Sequence, residues 1–222
     1  DNGVAEGIQA RQRAVSPVGK AHETAERRCV HVGARKCAAC IDGVGDVDKR
    51  QRRRRGEGRE RGGWLCDSWF TALSAFRFTG SLECERIFLE NFIRAESFPL
   101  NKGGTLPDGL LPMCYPGELT TSDTISSWTL WFVYEVYEYG KRGGDTAEFK
   151  DLIDRILTHF GGYANHDGLL ERIPTIFVEP TRANRWTYDV NYPMNMLWAR
   201  VLDCVSEMYD RPALAQKAEE IR

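Results

Sequence analysis

The amino-acid sequence predicts an all-α fold made of repeated helical hairpins. From residue 64 onward, apolar side chains recur at helical spacing in segments that turn residues separate, and no segment shows the sustained alternation of a strand. The order helix, short turn, helix, long loop is repeated three times at intervals of roughly 60 residues. Repeated hairpins stack into a toroid or a solenoid, so we expect an incomplete toroid, with a simple helical bundle as the alternative.

The first hairpin is predicted over residues 66–96. Its first helix, over 66–78, places aromatic side chains at helical spacing, and Gly80 ends it because glycine readily adopts left-handed backbone angles. Ser81 is a suitable N-cap for a second helix, whose apolar stripe continues to about Glu96.

The second and third hairpins follow the same plan. A third helix is predicted over 126–140 and a fourth over 145–160, joined by a tight antiparallel connection. A fifth helix is predicted over 190–209. Pro212 begins a sixth, over 212–222, because proline suits the first helical position.

Two long loops, 97–125 and 161–188, carry the residues that suggest a function. Each joins the end of one hairpin to the start of the next, so we expect both on the same side of the ring. These loops and their flanks supply aromatic rings that can stack on a sugar and polar groups that can bind its hydroxyls. The residues are Trp64, Tyr115, Trp128, Trp186, Tyr188 and Tyr192, with Glu60, Asp67, Asp108, Asp123, Asp167, Glu179 and Asn184.

The composition divides the chain into two parts. Residues 1–62 contain no Trp, Tyr or Phe, and the charged run over 49–61 would repel itself in a compact structure. We therefore assign residues 1–58 to a disordered or mistranslated segment and residues 59–222 to the folded domain. Mistranslation is favoured by the excess of Arg, Gly and Ala, which a GC-rich gene read out of frame produces; a genuine disordered extension is the alternative.

Charge and hydropathy exclude two classes of function. No stretch approaches the roughly 18 apolar residues that a membrane-spanning helix needs. The net charge of −2 argues against a nucleic-acid binder.

The cysteines are odd in number and scattered, which favours a reducing compartment, and the chain begins with no signal segment. The localisation is therefore not fixed by the sequence, although the cytoplasm is favoured.

The sequence predicts neither a metal nor a cofactor. Cys37 and Cys40 could form half of a zinc site, but no second well-spaced ligand pair accompanies them. The polar residues 165–167 lack the ligand spacing of an EF-hand calcium loop.

Several short segments of the sequence resemble motifs of one enzyme family. The run Arg59-Glu60-Arg61-Gly62-Gly63-Trp64-Leu65-Cys66-Asp67-Ser68 is similar to the signature at the start of the catalytic domain of α-L-rhamnosidases, glycoside hydrolase family 78. Five further segments look like motifs of the same family and follow in the same order and spacing. They are residues 88–92, 110–116, 128–133, 167–171 and 189–196. The resemblance covers residues 59–222 and implies the N-terminal part of an (α/α)6 toroid of the six-hairpin glycosidase type.

The resemblance also implies an activity and its residues. The activity is inverting hydrolysis of terminal α-L-rhamnosyl residues in a glycoside or oligosaccharide, by single displacement with water. Glu60 matches the general acid, and Asp67 matches a second carboxylate that holds the sugar. The positions that line the rhamnose pocket correspond to Trp64, Asp123, Trp128 and Glu179.

Two departures from the family pattern limit the expected activity. Arg55 stands where the family has its first signature Asp, and residues 56–58 replace its Cys-Pro-x. The general base of the family would lie beyond Arg222, so we expect impaired catalysis by this chain. Two alternatives remain: a non-catalytic carbohydrate-binding or relic protein, and an (α/α)6 glycosidase of other sugar specificity.

Overall fold

The computed structural model describes residues 63–100, 103–115, 124–177 and 189–222. Within these ranges the chain is mostly helical, and β-pairing is confined to isolated bridges. The segment 1–58, predicted to be disordered or mistranslated, lies outside the described residues. The described helices are α1 (Asp67–Thr79), α2 (Glu83–Arg94), α3 (Ser126–Lys141), α4 (Lys150–Gly161), α5 (Tyr192–Tyr209) and α6 (Pro212–Ile221), with a one-turn 3-10 helix (Ala147–Phe149) before α4.

The predicted turn of the first hairpin is confirmed. Gly80 takes a left-handed conformation with φ of 67°, and its N–H donates to the Phe76 carbonyl at 2.8 Å. Ser81 Oγ accepts from the Glu83 N–H at 3.2 Å, although Leu82 occupies the N-cap position of α2. The hairpin therefore reverses direction within three residues, 80–82.

Two predicted helices begin later than the apolar pattern indicates. The fourth opens as a 3-10 turn, because Asp145 Oδ1 accepts from the Ala147 N–H at 2.9 Å and tightens the first turn. The fifth begins at Tyr192 rather than at residue 190, because Asn191 caps it by accepting from the Met194 N–H at 2.9 Å.

The first and third helices run parallel to each other. Trp64, just before α1, packs on Trp128 in the first turn of α3 with ring centroids 5.8 Å apart. Further along both helices, Ser68 Oγ donates to Glu135 Oε2 at 2.5 Å. The residue numbers of the contacting pairs increase in both helices in the same direction, so the two helices are parallel.

The third and fifth helices are also parallel. The Arg200 guanidinium lies over the Tyr134 ring at 5.6 Å, and further along both helices the Tyr137 hydroxyl donates to Glu207 Oε2 at 2.6 Å. Helices α1, α3 and α5 therefore form a row of parallel inner helices, and all three begin at the same end of the fold.

The even-numbered helices pack outside this row. Phe132 of α3 meets Phe92 of α2, with ring centroids 5.3 Å apart, and also contacts Phe149 just before α4. Helix α4 buries a complete apolar stripe, each member of which contributes about 1.5–3 kcal/mol of hydrophobic stabilisation; its members are Leu152, Ile153, Ile156 and Phe160. The alternation of inner and outer helices confirms the prediction of stacked hairpins.

No helix among the described residues combines the length and the hydropathy that crossing a bilayer requires.

Candidate functional site

The described parts of the long loops meet at the end where the inner helices begin. The Tyr115 N–H donates to the Gly63 carbonyl at 2.9 Å, which holds the segment 103–115 against the entry to α1. The Ser126 N–H donates to the Thr175 carbonyl at 3.1 Å, which holds the segment 163–177 against the first turn of α3. The prediction that these loops share one side is confirmed for their described residues.

Three aromatic rings form the centre of this end. Trp64 and Trp128 meet edge to face at 5.8 Å, and Phe177 meets Trp128 in the same manner at 6.2 Å. Both tryptophans are half-buried, and Phe177 is 37% exposed. We call these three residues the aromatic platform. Partly exposed aromatic rings offer the apolar area on which the C–H faces of a sugar stack.

The sequence prediction missed Phe177. The available signal was an aromatic residue in the loop that begins at 161, but nothing local shows that this loop returns to α3. The contact is fixed by tertiary hydrogen bonds, among them Ser126 Oγ to the Pro174 carbonyl at 2.6 Å.

Gly63 permits the close approach that positions Trp64. A Cβ atom at this glycine would lie 2.5 Å from the Tyr115 carbonyl oxygen and 2.8 Å from Phe88 Cε2. Backbone cannot move aside as a flexible side chain can, so the loop would have to shift.

We therefore expect Gly63→Ala to lower the free energy of unfolding by about 1–3 kcal/mol, the usual cost of overpacking. The matched control is Gly161→Ala, since nothing lies within 4 Å of a Cβ atom there. The control should change stability by less than about 1 kcal/mol. Urea denaturation followed by circular dichroism measures both variants, and equal midpoints would contradict the expectation.

Asp67 lies at the start of α1, three residues after Trp64. It is exposed and is the first residue of the helix, where the interaction of a carboxylate with the positive helix end stabilises the helix by about 0.3–1 kcal/mol.

Cys66 before it has φ of 71°, a conformation that costs a non-glycine residue of order 1–3 kcal/mol. Burial, followed by the charges of Asp67 and Glu135, raises the pKa of the Cys66 thiol to about 12. The thiol therefore stays protonated at neutral pH and is not a nucleophile.

Three predicted site residues, Glu60, Asp123 and Glu179, lie outside the described residues. Two of them adjoin described parts of the site in sequence. Asp123 precedes Thr124, whose hydroxyl donates to the Leu111 carbonyl at 2.8 Å, and Glu179 follows the platform residue Phe177 by two positions.

Two of the loop residues singled out for sugar binding contact other parts of the protein. Tyr115 is half-buried and packs against the core residues Phe92 and Phe98, at 5.7 and 5.2 Å between ring centroids. Asp108 accepts from Arg155 of α4 at 2.7 Å. Neither belongs to the platform.

A second aromatic cluster lies further along the inner helices. Trp69 packs on Trp131 at 5.8 Å, and Trp131 packs on Tyr134 at 5.5 Å. Trp131 follows Trp128 by three residues on α3, yet contacts different rings. It therefore provides a matched control for the platform tryptophans.

A buried polar network lies beneath the candidate site, and the sequence analysis did not detect it. Ser68 donates to Glu135, and Arg142 Nη2 donates to Glu85 Oε1 at 2.5 Å. Among the described residues, Glu135 Oε1 and Glu85 Oε2 have no hydrogen-bond partner. The only sequence signal was the presence of charged residues within apolar helical stretches.

Burial dominates the electrostatics of this network. It raises the pKa of Glu135 to about 8, with the Ser68 hydrogen bond opposing the rise. It also raises the pKa of Glu85, against the opposing effects of Arg142. Glu135 is therefore largely protonated at pH 7.

No metal centre is formed by the described part of the chain. Within it, no three His, Cys, Asp or Glu side chains converge as they would around an ion. A cavity of about 210 Å³ is lined by residues from the end of α2, the segment 105–111 and α4, and none of its lining residues belongs to the platform.

The comparisons with known proteins agree with the fold. The chain is similar to the solved structure of a rhamnosidase from Klebsiella oxytoca with rhamnose bound, with a TM-score of 0.55 and 16% sequence identity. The match covers 73% of this chain and 32% of that chain, so this chain spans about a third of the length of that rhamnosidase. No family model and no curated protein matches the chain. The fold is therefore part of a toroid of α-helical hairpins, and the simple-bundle alternative is excluded.

Proposed function

We propose that residues 59–222 are the N-terminal part of a glycosidase catalytic domain that hydrolyses terminal α-L-rhamnosyl residues with inversion. The observation that carries this proposal is the platform formed by Trp64, Trp128 and Phe177 at the loop end of the inner helices. Two of its three members are residues that the sequence resemblance assigns to a rhamnose pocket. The similar fold of a rhamnosidase supports the same assignment.

The platform would supply the apolar part of the sugar site. A 6-deoxy sugar presents a methyl group and C–H faces, which lose unfavourable contact with water when they pack on aromatic rings. The hydroxyls of the sugar require polar partners, for which the proposal assigns Asp67, Asp123 and Glu179. Chain connectivity keeps Asp123 next to Thr124 and Glu179 within two residues of Phe177.

Glu60 is proposed as the general acid that protonates the leaving oxygen. Its neighbours Arg59 and Arg61 would by themselves lower the pKa of its carboxyl, so burial or a nearby carboxylate such as Asp67 must oppose them. An inverting reaction also needs a base roughly 6.5–9.5 Å from the acid, with a water molecule between base and sugar. The proposal assigns that base to a later part of the toroid.

Sugar binding can be tested with matched tryptophan variants. We expect Trp64→Ala and Trp128→Ala to weaken binding of L-rhamnose roughly 2- to 10-fold, the effect of about 0.5–1.5 kcal/mol of aromatic contact. Trp131→Ala should bind as the parent does, because Trp131 packs on Trp69 and Tyr134 outside the platform. Isothermal titration calorimetry measures all three variants. Equal losses in all of them would contradict a site at the platform.

Catalysis requires a separate experiment. Release of an aryl leaving group from an α-L-rhamnoside, abolished in Glu60→Gln with binding retained, would support the general-acid assignment. Binding of rhamnose without turnover in a chain extended past Arg222, so that it includes the later part of the toroid, would instead support the non-catalytic carbohydrate-binding alternative. Turnover of a different aryl glycoside would support an (α/α)6 glycosidase of other sugar specificity.

A further inference from the structure

A small cavity lies between helices α1, α2 and α3, apart from the aromatic platform. Its volume is about 20 Å³, and none of its lining residues belongs to the platform. Its walls include Ser68 and Ala72 of α1, Glu85 of α2 and Glu135 of α3. A water molecule needs roughly 10–15 Å³ of such space. The cavity therefore has room for one water molecule and for no organic ligand.

Two buried carboxyl groups line this cavity, and each has one oxygen that is still unpaired. Glu135 Oε2 accepts from Ser68 Oγ at 2.5 Å, and Glu85 Oε1 accepts from Arg142 Nη2 at 2.5 Å. Among the described residues, Glu135 Oε1 and Glu85 Oε2 have no hydrogen-bond partner, although the two residues are only 1% and 5% exposed. A buried polar atom without a partner is costly. Because both side chains line the cavity, a partner for either oxygen can be held there.

The charges around the cavity decide which small ligand suits it. Arg142 supplies one positive charge beside Glu85, whereas Glu138 adds a second negative charge further out. Glu135 is the carboxyl that stays neutral, because burial raises its pKa to about 8. A protonated Glu135 has a hydrogen to donate, and the Glu85 carboxylate has lone pairs to accept one. A ligand between them must therefore both accept and donate, which water does and a metal cation does not.

We propose that this cavity is a binding site for one water molecule, which accepts a hydrogen bond from Glu135 Oε1 and donates one to Glu85 Oε2. The second hydrogen of the water is donated to Ser68 Oγ, whose own hydrogen is engaged with Glu135. The water then has three partners, the usual number for a buried water, and joins α1, α2 and α3 at one point. This proposal concerns the interior of the fold and does not depend on the proposed glycosidase activity.

Magnetic relaxation dispersion of the solvent tests the proposal on the 222-residue chain, because it counts the waters that tumble with the protein. The parent and Glu135→Gln should give the same count, since the Gln amide donates an N–H in place of the carboxyl O–H. Glu135→Leu has a similar volume but no donor, so it should give one bound water fewer. Glu148→Leu, at an exposed position just before α4, is the matched control and should keep the parent count.

A crystal structure of the parent chain tests the position of the water without relying on any variant. One ordered water should lie within about 2.5–3.0 Å of both Glu135 Oε1 and Glu85 Oε2. Because water and sodium scatter X-rays similarly, a salt exchange accompanies the structure. Replacing sodium and potassium chloride with N-methylglucamine chloride at equal ionic strength should leave the urea midpoint unchanged. A cation bound only to the folded chain would lower the midpoint when it is removed.

Three results would overturn the proposal. They are a cavity without an ordered water in the crystal structure, a count of bound waters that Glu135→Leu leaves unchanged, and a midpoint that falls when small cations are removed. The last result would assign the site to a cation instead. Loss of rhamnose binding in the platform variants has no bearing on these measurements, so the two proposals fail separately.

Discussion

Replacing Glu135 with Gln should stabilise the fold at neutral and higher pH and remove most of the pH dependence of stability between about pH 4.5 and 8. The Glu135 side chain is fully buried, and burial raises the pKa of its carboxyl from 4.5 to about 8. Gln has nearly the same shape, keeps an oxygen for the Ser68 hydroxyl, and has no proton to lose.

The sign of the effect follows from proton binding in the two states. The folded chain holds the Glu135 proton up to about pH 8, whereas the unfolded chain releases it near pH 4.5. The stabilisation from the protonated carboxyl is therefore complete below pH 4.5 and is lost as pH rises toward 8. The loss approaches about 1.4 kcal/mol per pH unit within this window, or a few kcal/mol in total.

Urea denaturation at a series of pH values measures this effect. The parent should lose stability from about pH 5 to pH 8, the window that the raised pKa of Glu135 sets, and Glu135→Gln should lose much less. Glu148→Gln, at an exposed position just before α4, serves as the matched control and should follow the parent. A Glu135→Gln chain that kept the slope of the parent would show that Glu135 does not hold its proton in the folded state.

The second large effect is expected at Arg142. Its guanidinium binds Glu85 within the core, where the side chains are 10% and 3% exposed. Arg142→Met leaves a carboxylate that is buried without its cation, so we expect the free energy of unfolding to fall by about 3–5 kcal/mol. The loss should be greater at high pH, because Glu85 can escape part of the penalty by protonation when pH is low.

A matched ion pair and a second substitution separate charge from packing. Arg155→Met breaks the exposed pair with Asp108, and the expected cost is about 0–1 kcal/mol. Adding Glu85→Gln to Arg142→Met should recover part of the loss, since no buried charge remains. Urea denaturation at pH 7 measures the four chains. An unrecovered loss would assign the effect to the packing of Arg142 on the Phe76 ring instead.

Local signals explain why the helix limits could be predicted. Gly80 ends α1 through its own left-handed backbone, and Pro212 begins α6 at the position that tolerates a missing N–H. Where the limits were misplaced, a polar side chain next to the helix decided the outcome, as Asn191 does by capping α5. Such a cap sets the first residue of the helix even where the apolar pattern begins before it.

Residues close together in the chain were enough to predict the all-α class, the three hairpins and the common side of the loops. The contact of Trp64 with Trp128, the addition of Phe177 to that pair and the burial of Glu135 against Ser68, a partner 67 residues away, depend on the folded structure. Spacing along a helix gives the face on which a side chain lies but not the element opposite that face. Those partners depend on how the hairpins stack, and stacking is set by the burial of apolar area summed over the whole chain.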